Sequence, residues 1–357
     1  MTTTQPTPDI DLRKEVRSAG LVYVSDSAPG IRRMRHGKGF SYRTVDNRRL
    51  ASEGEIKRIQ ALAIPPAYAD VWICANPLGH LQATGRDARG RKQYRYHPRW
   101  RELRDHGKFG RLLAFGVALP RLRRRVRSDL ARSGLPREKV LALLVRLLDE
   151  TLIRIGNETY TRENHSYGLT TLRSRHVKAY RGRLHFTFHG KSAQERDIEL
   201  GDRRLARIVG QIQQLPGQRL FQYVNEEGKH QAIDSGMVNA YLHEASGGEF
   251  TAKDFRTWGG TIKAIAVMAR TPIPESGGER AQRSAIAEGV KEVAEVLGNT
   301  PAVCRSSYIH PQVFAGWLDG SLHKAVPESA ISHRRQLEQR ALRFLRRRLH
   351  PAARRSD

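Results

Sequence analysis

The sequence predicts an α+β protein: a small β-rich amino-terminal domain, then a larger, mainly α domain with a small antiparallel sheet embedded in it. Three observations predict this. Between Leu21 and Tyr96 apolar residues fall in short runs separated by glycine, proline and polar clusters, as strands require. From Arg111 to Ile155 they recur at helical spacing. Between Leu169 and Leu200 the period returns to two before helices resume. The expected boundaries are 1–107 for the first domain, with a partly flexible leader over 1–19, 108–325 for the second, and a basic helical tail over 326–357.

In the first domain, Leu21–Val24, Gly39–Arg43, Val71–Cys74, His80–Thr84 and Lys92–Tyr96 read as strands. Glu53–Leu62, closed by Pro65-Pro66, reads as a helix. In the second domain, Arg111–Arg132 carries helically spaced apolar residues from Leu112 to Leu130, although Pro120 should kink or divide it. Pro136–Ile155 has a dense apolar face, which puts Arg154 at the end of a buried helix. Leu169–Leu172, His176–Tyr180, Leu184–Phe188 and Asp197–Leu200 form the embedded sheet, with Gly190-Lys191 at the turn between the last two strands. Helices follow at Arg203–Gln213, Gly236–Ala245, Ala252–Ala269, Glu279–Val296 and Thr300–Trp317. The tail, Ser332–Arg355, is arginine-rich with spaced leucines and suits a basic arm or a surface helix.

Lysine and arginine number 63 against 36 acids in 357 residues, a formal charge of +27, so the partner is a polyanion and nucleic acid is the natural candidate. No apolar run approaches the roughly 20 residues of a membrane span, which argues against a membrane partner. The two cysteines, Cys74 and Cys304, have no metal-ligand spacing and fit a reducing cytoplasm. Gly190-Lys191-Ser192 is no nucleotide loop, because the glycine required five residues earlier is His185. His185 and His189 sit on one strand without a third ligand and read as solvated sheet histidines.

The stretch with the most chemistry is Leu297-Gly298-Asn299-Thr300-Pro301-Ala302-Val303-Cys304-Arg305-Ser306-Ser307-Tyr308. A helix stops at Gly298 and a new one starts with Thr300 as cap and Pro301 in its first turn, so Tyr308 lies about two turns in. Taken singly, Tyr308 reads as a packed ring, Arg154 as a helix cap, Lys191 as a solvated turn residue, Arg256 as a surface arginine and Asn299 as a left-handed helix stop. Their joint order is a different matter. Leu152-Ile153-Arg154-Ile155-Gly156-Asn157, His189-Gly190-Lys191-Ser192, Lys253-Asp254-Phe255-Arg256-Thr257-Trp258-Gly259 and the Asn299…Tyr308 stretch make a phosphoryl-transfer set without a carboxylate or a metal ligand. Such chemistry needs an in-line nucleophile, cations on the non-bridging oxygens and an acid for the leaving alkoxide. Arginine suits the second task and lysine the third.

This set, over roughly Leu62 to Trp317, resembles the type IB DNA topoisomerases of the small poxvirus-like and bacterial kind. The resemblance implies the tyrosine recombinase/topoisomerase IB-like fold, Arg154 and Arg256 on the scissile phosphate, Lys191 as acid, Tyr308 as nucleophile and Asn299 as a hydrogen-bond donor. Asn299 departs from the histidine usual in the poxvirus-type enzymes, which removes any titrating imidazole there. Gly85–Tyr96 resembles the family's basic DNA-contacting hairpin, so Arg91, Gln93, Tyr94 and Tyr96 are expected at the DNA, with Tyr94 and Tyr96 on one strand face. Tyr160, in the family-like segment Tyr160–Leu169, and Lys253 are expected to help. A tyrosine recombinase usually has histidine where Lys253 stands; a non-catalytic DNA-binding protein would need no such ordered set. The implied enzyme acts on duplex DNA as a monomer in the cytoplasm, at the nucleoid, with no cofactor, metal or nucleotide.

Overall fold

The computed structural model describes residues 10–350 except 38, 89 and 91, and leaves undescribed the side chains of 10–12, 102, 104–108, 159, 160, 163 and 192. The chain divides into two compact units, Met1–Lys108 and Phe109–Asp357, and is α+β.

The first unit runs α1 (Ile10–Ser18), β1 (Ile31–His36), β2 (Gly39–Arg43), α2 (Glu53–Ala61), β3 (Ala69–Ile73), β4 (Leu81–Arg86) and β5 (Lys92–Tyr96). Its strands form one antiparallel sheet in the order β2-β1-β3-β4-β5. Ile59 of α2 closes its core over Ile31, Val71, Ile73 and Ala83. Strand β1 is hidden in the sequence because Ile31-Arg32-Arg33-Met34-Arg35-His36 does not alternate. Arg33 takes a place beside the core by donating to the carbonyls of Ile64, Pro65 and Tyr68 and lying over the Phe40 ring. Leu21–Val24, expected as a strand, makes one parallel bridge from Val22 to Gly79; Leu21 packs instead with Val16 and Trp100. Within the expected 1–19 leader, Ile10–Ser18 are helical and Val16 is fully buried.

Helix α3 (Pro98–Leu130) starts in the first unit and ends in the second. It runs through Pro120 undivided. Proline costs about 3 kcal/mol inside a helix, but Leu112, Phe115, Leu119, Leu122, Val126 and Leu130 are buried on both sides of it, and Pro120 itself faces solvent. The buried stripe outweighs the missing hydrogen bond. Helix α4 (Arg137–Thr151) is more than amphipathic: Val140 to Val145, Leu147 and Leu148 are all buried, so it is the axis of the second unit's core.

After α5 (Glu158–Asn164), the strands β6 (Val177–Tyr180), β7 (Arg183–His189) and β8 (Glu195–Gly201) form the embedded sheet in that order, antiparallel throughout. Leu169–Thr171 is a 3-10 turn where a strand was expected. Then come α6 (Arg203–Gln213), the hairpin β9 (Gln222–Val224) and β10 (His230–Ala232), α7 (Ser235–Ser246), α8 (Ala252–Arg270), α9 (Gly278–Leu297), α10 (Pro301–Tyr308), α11 (Gln312–Leu318), α12 (Ser321–Ala325), α13 (Glu328–Ile331) and α14 (Arg334–Leu349). The helix expected over Thr300–Trp317 is thus two. Pro311 disfavours the α conformation at His310, and α10 ends on Tyr308 itself. Helix α14 docks through Leu337, Ala341, Phe344 and Leu345, and its Glu338 meets Arg123.

Candidate active site

Helix α9 ends at Leu297 with Gly298 in the left-handed region at φ 57°, and Thr300 caps α10 by accepting from the Val303 amide. The last carbonyls of a helix have no partners within it and carry the negative end of its dipole. Here those carbonyls collect arginines. Arg196 donates to Glu295 and Val296 at 3.2 and 2.8 Å, Arg256 to Leu297 at 2.9 Å, and Arg154 to Gly298 at 3.2 and 3.3 Å. Four consecutive carbonyls therefore hold three guanidinium groups from β8, α8 and the segment after α4.

Arg256, in the second turn of α8, is 4 % exposed and also donates to the Leu152 carbonyl. That contact sits at the end of α4, where Leu152 adopts a left-handed cap at φ 54°. Arg154 consequently lies beyond the helix rather than at its tip. It is fixed through its backbone: its carbonyl accepts from Leu169 and the next one, on Ile155, from Thr170, each at 2.8 Å. Its guanidinium also donates to Asn299 Oδ1. That bond aims the Asn299 amide, whose Nδ2 is buried and has no hydrogen-bond partner. Arg256 Nε is likewise buried and unpartnered.

Tyr308 closes the set. The Arg256 Cζ stands 5.0 Å from the centre of its ring. Its main chain is pinned by the fully buried Thr261, one turn past Arg256 on α8. The Thr261 hydroxyl donates to the Tyr308 carbonyl and accepts from the His310 amide, both at 3.1 Å. Glycine at 260 allows this approach, since a Cβ there would lie 2.9 Å from the Tyr308 carbonyl oxygen.

The electrostatics follow from burial and like charge. Burial, then Arg154, lowers the Arg256 guanidinium, and burial, then Arg154, lowers Arg196. Burial alone would raise the Tyr308 phenol, but Arg256, with Arg154 and Lys253 behind it, brings it below the ordinary tyrosine value. An anion entering this place relieves the repulsion.

A cavity of about 590 Å³ opens on the set, lined by Arg154, Lys191, Lys253, Arg256 and Tyr308 together with Asn157, Ser166 and Tyr167. Among the described residues no acid is part of its lining. Lys191 is exposed, at the head of a 3-10 turn (Lys191–Ala193) joining β7 and β8. Asn299 reaches the set through Arg154 rather than through the cavity wall. Among the described residues no group of three or more His, Cys, Asp or Glu side chains could hold a metal ion, and no helix is long and apolar enough to cross a membrane.

Of the expected DNA-contact residues, Gln93, Tyr94 and Tyr96 lie on β5. Tyr94 and Tyr96 stack on one face with centroids 6.1 Å apart, and Gln93 donates to Asp87. Arg91 lies outside the described residues, as does the side chain of Tyr160, which falls in α5. Arg196 was missed. The signal was present: Arg196, Ile198 and Leu200 alternate on the inward face of β8, where an apolar residue would be usual.

Residues 97–320 match the family model for the eukaryotic DNA topoisomerase I catalytic core, and residues 39–87 match that for the bacterial DNA topoisomerase IB N-terminal domain. The DNA topoisomerase 1B of Acanthamoeba polyphaga mimivirus is 33% identical over 310 residues, covering 85% of this chain and 90% of its own. That of vaccinia virus (strain Copenhagen) is 23% identical over 265 residues, covering 70% and 78%. The matched spans include every residue of the cationic set, and with them this chain belongs to the type IB DNA topoisomerases.

Proposed function

We propose that the protein relaxes supercoiled duplex DNA by cutting one strand through Tyr308, letting the duplex rotate, and resealing it. The observation that carries this reading is the Tyr308 phenol resting on buried Arg256 in the wall of a cavity lined by cations and, among the described residues, by no acid. In the forward step the Tyr308 oxygen attacks phosphorus, its proton leaving to solvent. The new O–P bond forms as the bond to the 5′-oxygen breaks, and Lys191 gives that oxygen a proton. Arg154 and Arg256 hold the non-bridging oxygens as their charge grows, and the Asn299 amide donates the hydrogen that has no partner within the protein. The 3′-phosphotyrosyl ester retains the energy of the broken bond, so resealing is the same step reversed, and neither a metal nor a nucleotide enters it.

The β5 hairpin residues Gln93, Tyr94 and Tyr96, with Arg91, Tyr160 and Lys253, contact the duplex, and the enzyme acts as a single copy at the nucleoid. Supercoiled plasmid incubated in EDTA without ATP tests the reading: the protein yields relaxed topoisomers. Tyr308→Phe yields none and forms no adduct, yet binds DNA within about threefold of wild type, because phosphate contacts dominate the affinity. Relaxation by the Tyr308→Phe variant would contradict it.

A further inference from the structure

Arg196 is placed where one side chain touches both halves of the proposed chemistry. Its stem runs beside the turn, with Cγ 3.2 Å from the position a side chain on Gly190 would take, next to Lys191. Its guanidinium crosses to the carboxyl end of α9, donating to Glu295 and Val296. Nη1 also fills the space a Cβ on Gly298 would need, beside Asn299. Phe188 and Arg196 are directly paired, so the tie is made two residues from each end of the Gly190–Gln194 turn.

We propose that Arg196 is a positioning residue for Lys191. It fixes the β7–β8 turn at a set distance from the corner where Arg154 and Asn299 meet, so that the lysine ammonium reaches the leaving 5′-oxygen. The proposal rests on Lys191 being the proton donor. Arg196 touches no reacting atom, and the balance of the step is unchanged. Removing its guanidinium frees the turn, and misplacing an acid by about 1 Å costs about 10²-fold in rate. The loss falls on proton donation and leaves phosphate binding and attack as they were.

Single-turnover cleavage of a duplex tests this, using a site first mapped from wild-type adducts on a restriction fragment. The bridging 5′-atom is oxygen in one substrate and sulfur in the other; sulfur departs without a proton donor. Arg196→Met should cleave the oxygen substrate about 10²-fold more slowly than wild type and the sulfur substrate within about threefold of it. Lys191→Ala should behave in the same way, whereas Arg154→Ala should be slow on both. Arg196→Lys, which keeps one donor group, should fall between wild type and Arg196→Met on oxygen and match wild type on sulfur. If Lys191→Ala is rescued by sulfur and Arg196→Met is equally slow on both substrates, the positioning role is overturned. If Lys191→Ala itself is not rescued, the assignment of Lys191 as acid fails and the inference falls with it. If Arg196→Met does not fold, judged by its melting, Arg196→Lys decides: an oxygen-specific loss supports the role, and wild-type rates on both substrates overturn it.

Discussion

Arg256 and Lys191 face one cavity from contrasting surroundings. The arginine is 4 % exposed and donates from Nη1 and Nη2 to the Leu152 and Leu297 carbonyls. The lysine stands in solvent on a hairpin turn. The α8–α9–α10 side of the site is therefore built before DNA arrives, with the Leu297 and Tyr308 carbonyls accepting from the Arg256 and Thr261 side chains, bonds that cost no reorganisation during the reaction. The β7–β8 side borrows its geometry, through Arg196. In the proposed mechanism, holding the phosphate and the nucleophile would belong to the core, while proton donation would depend on a tether.

On the built side the largest effect is expected where the nucleophile's main chain is pinned. Thr261→Val removes the hydroxyl between the Tyr308 carbonyl and the His310 amide and leaves two buried backbone groups unpaired, each at about 1–3 kcal/mol. Single-turnover cleavage should fall about 10²-fold, with Thr261→Ser close to wild type. Cleavage by Thr261→Val at the wild-type rate would mean that packing alone holds the nucleophile, and the contrast between the two sides would weaken. A smaller loss, about tenfold, is expected for Asn299→Ala, since one hydrogen bond to a charged oxygen contributes about 1.5–3 kcal/mol. Asn299→His, which still offers a donor, should retain most activity. If alanine performs as well as asparagine, the residue is a helix stop and the unpartnered Nδ2 has no part in catalysis.

The pH profile gives the smallest effect. Because Arg256, Arg154 and Lys253 outweigh burial and hold the Tyr308 phenol below its usual value, the cleavage rate should rise with pH and level off below pH 10.0. Lys253→Met removes one of the lowering charges, so the levelling point should move to higher pH. A shift to lower pH would contradict the electrostatic account of the nucleophile.

Much of this was legible in the sequence, for reasons that can be stated. The apolar stripe of α3 and the dense run of α4 report burial directly, and the spacing from the Gly298 stop to Tyr308 fixes a short helix carrying the phenol. The division of Thr300–Trp317 was readable at Pro311. Strand β1 was not, because its arginines mask the alternation and Arg33 is satisfied by carbonyls from a distant loop. The arginine-collecting carbonyls of α9 were not readable either. Arg154 and Gly298 lie 144 residues apart and Arg196 and Glu295 lie 99 apart, and no local pattern encodes a contact of that range.

The most direct measurement is to trap the covalent complex on an end-labelled duplex, digest the protein with protease, and locate the nucleotide-bearing peptide by mass spectrometry. The account predicts a single modified residue, Tyr308, joined to a 3′-phosphate with a free 5′-hydroxyl on the other strand end. An adduct on any other residue, or a tyrosine joined to a 5′-phosphate, would contradict it.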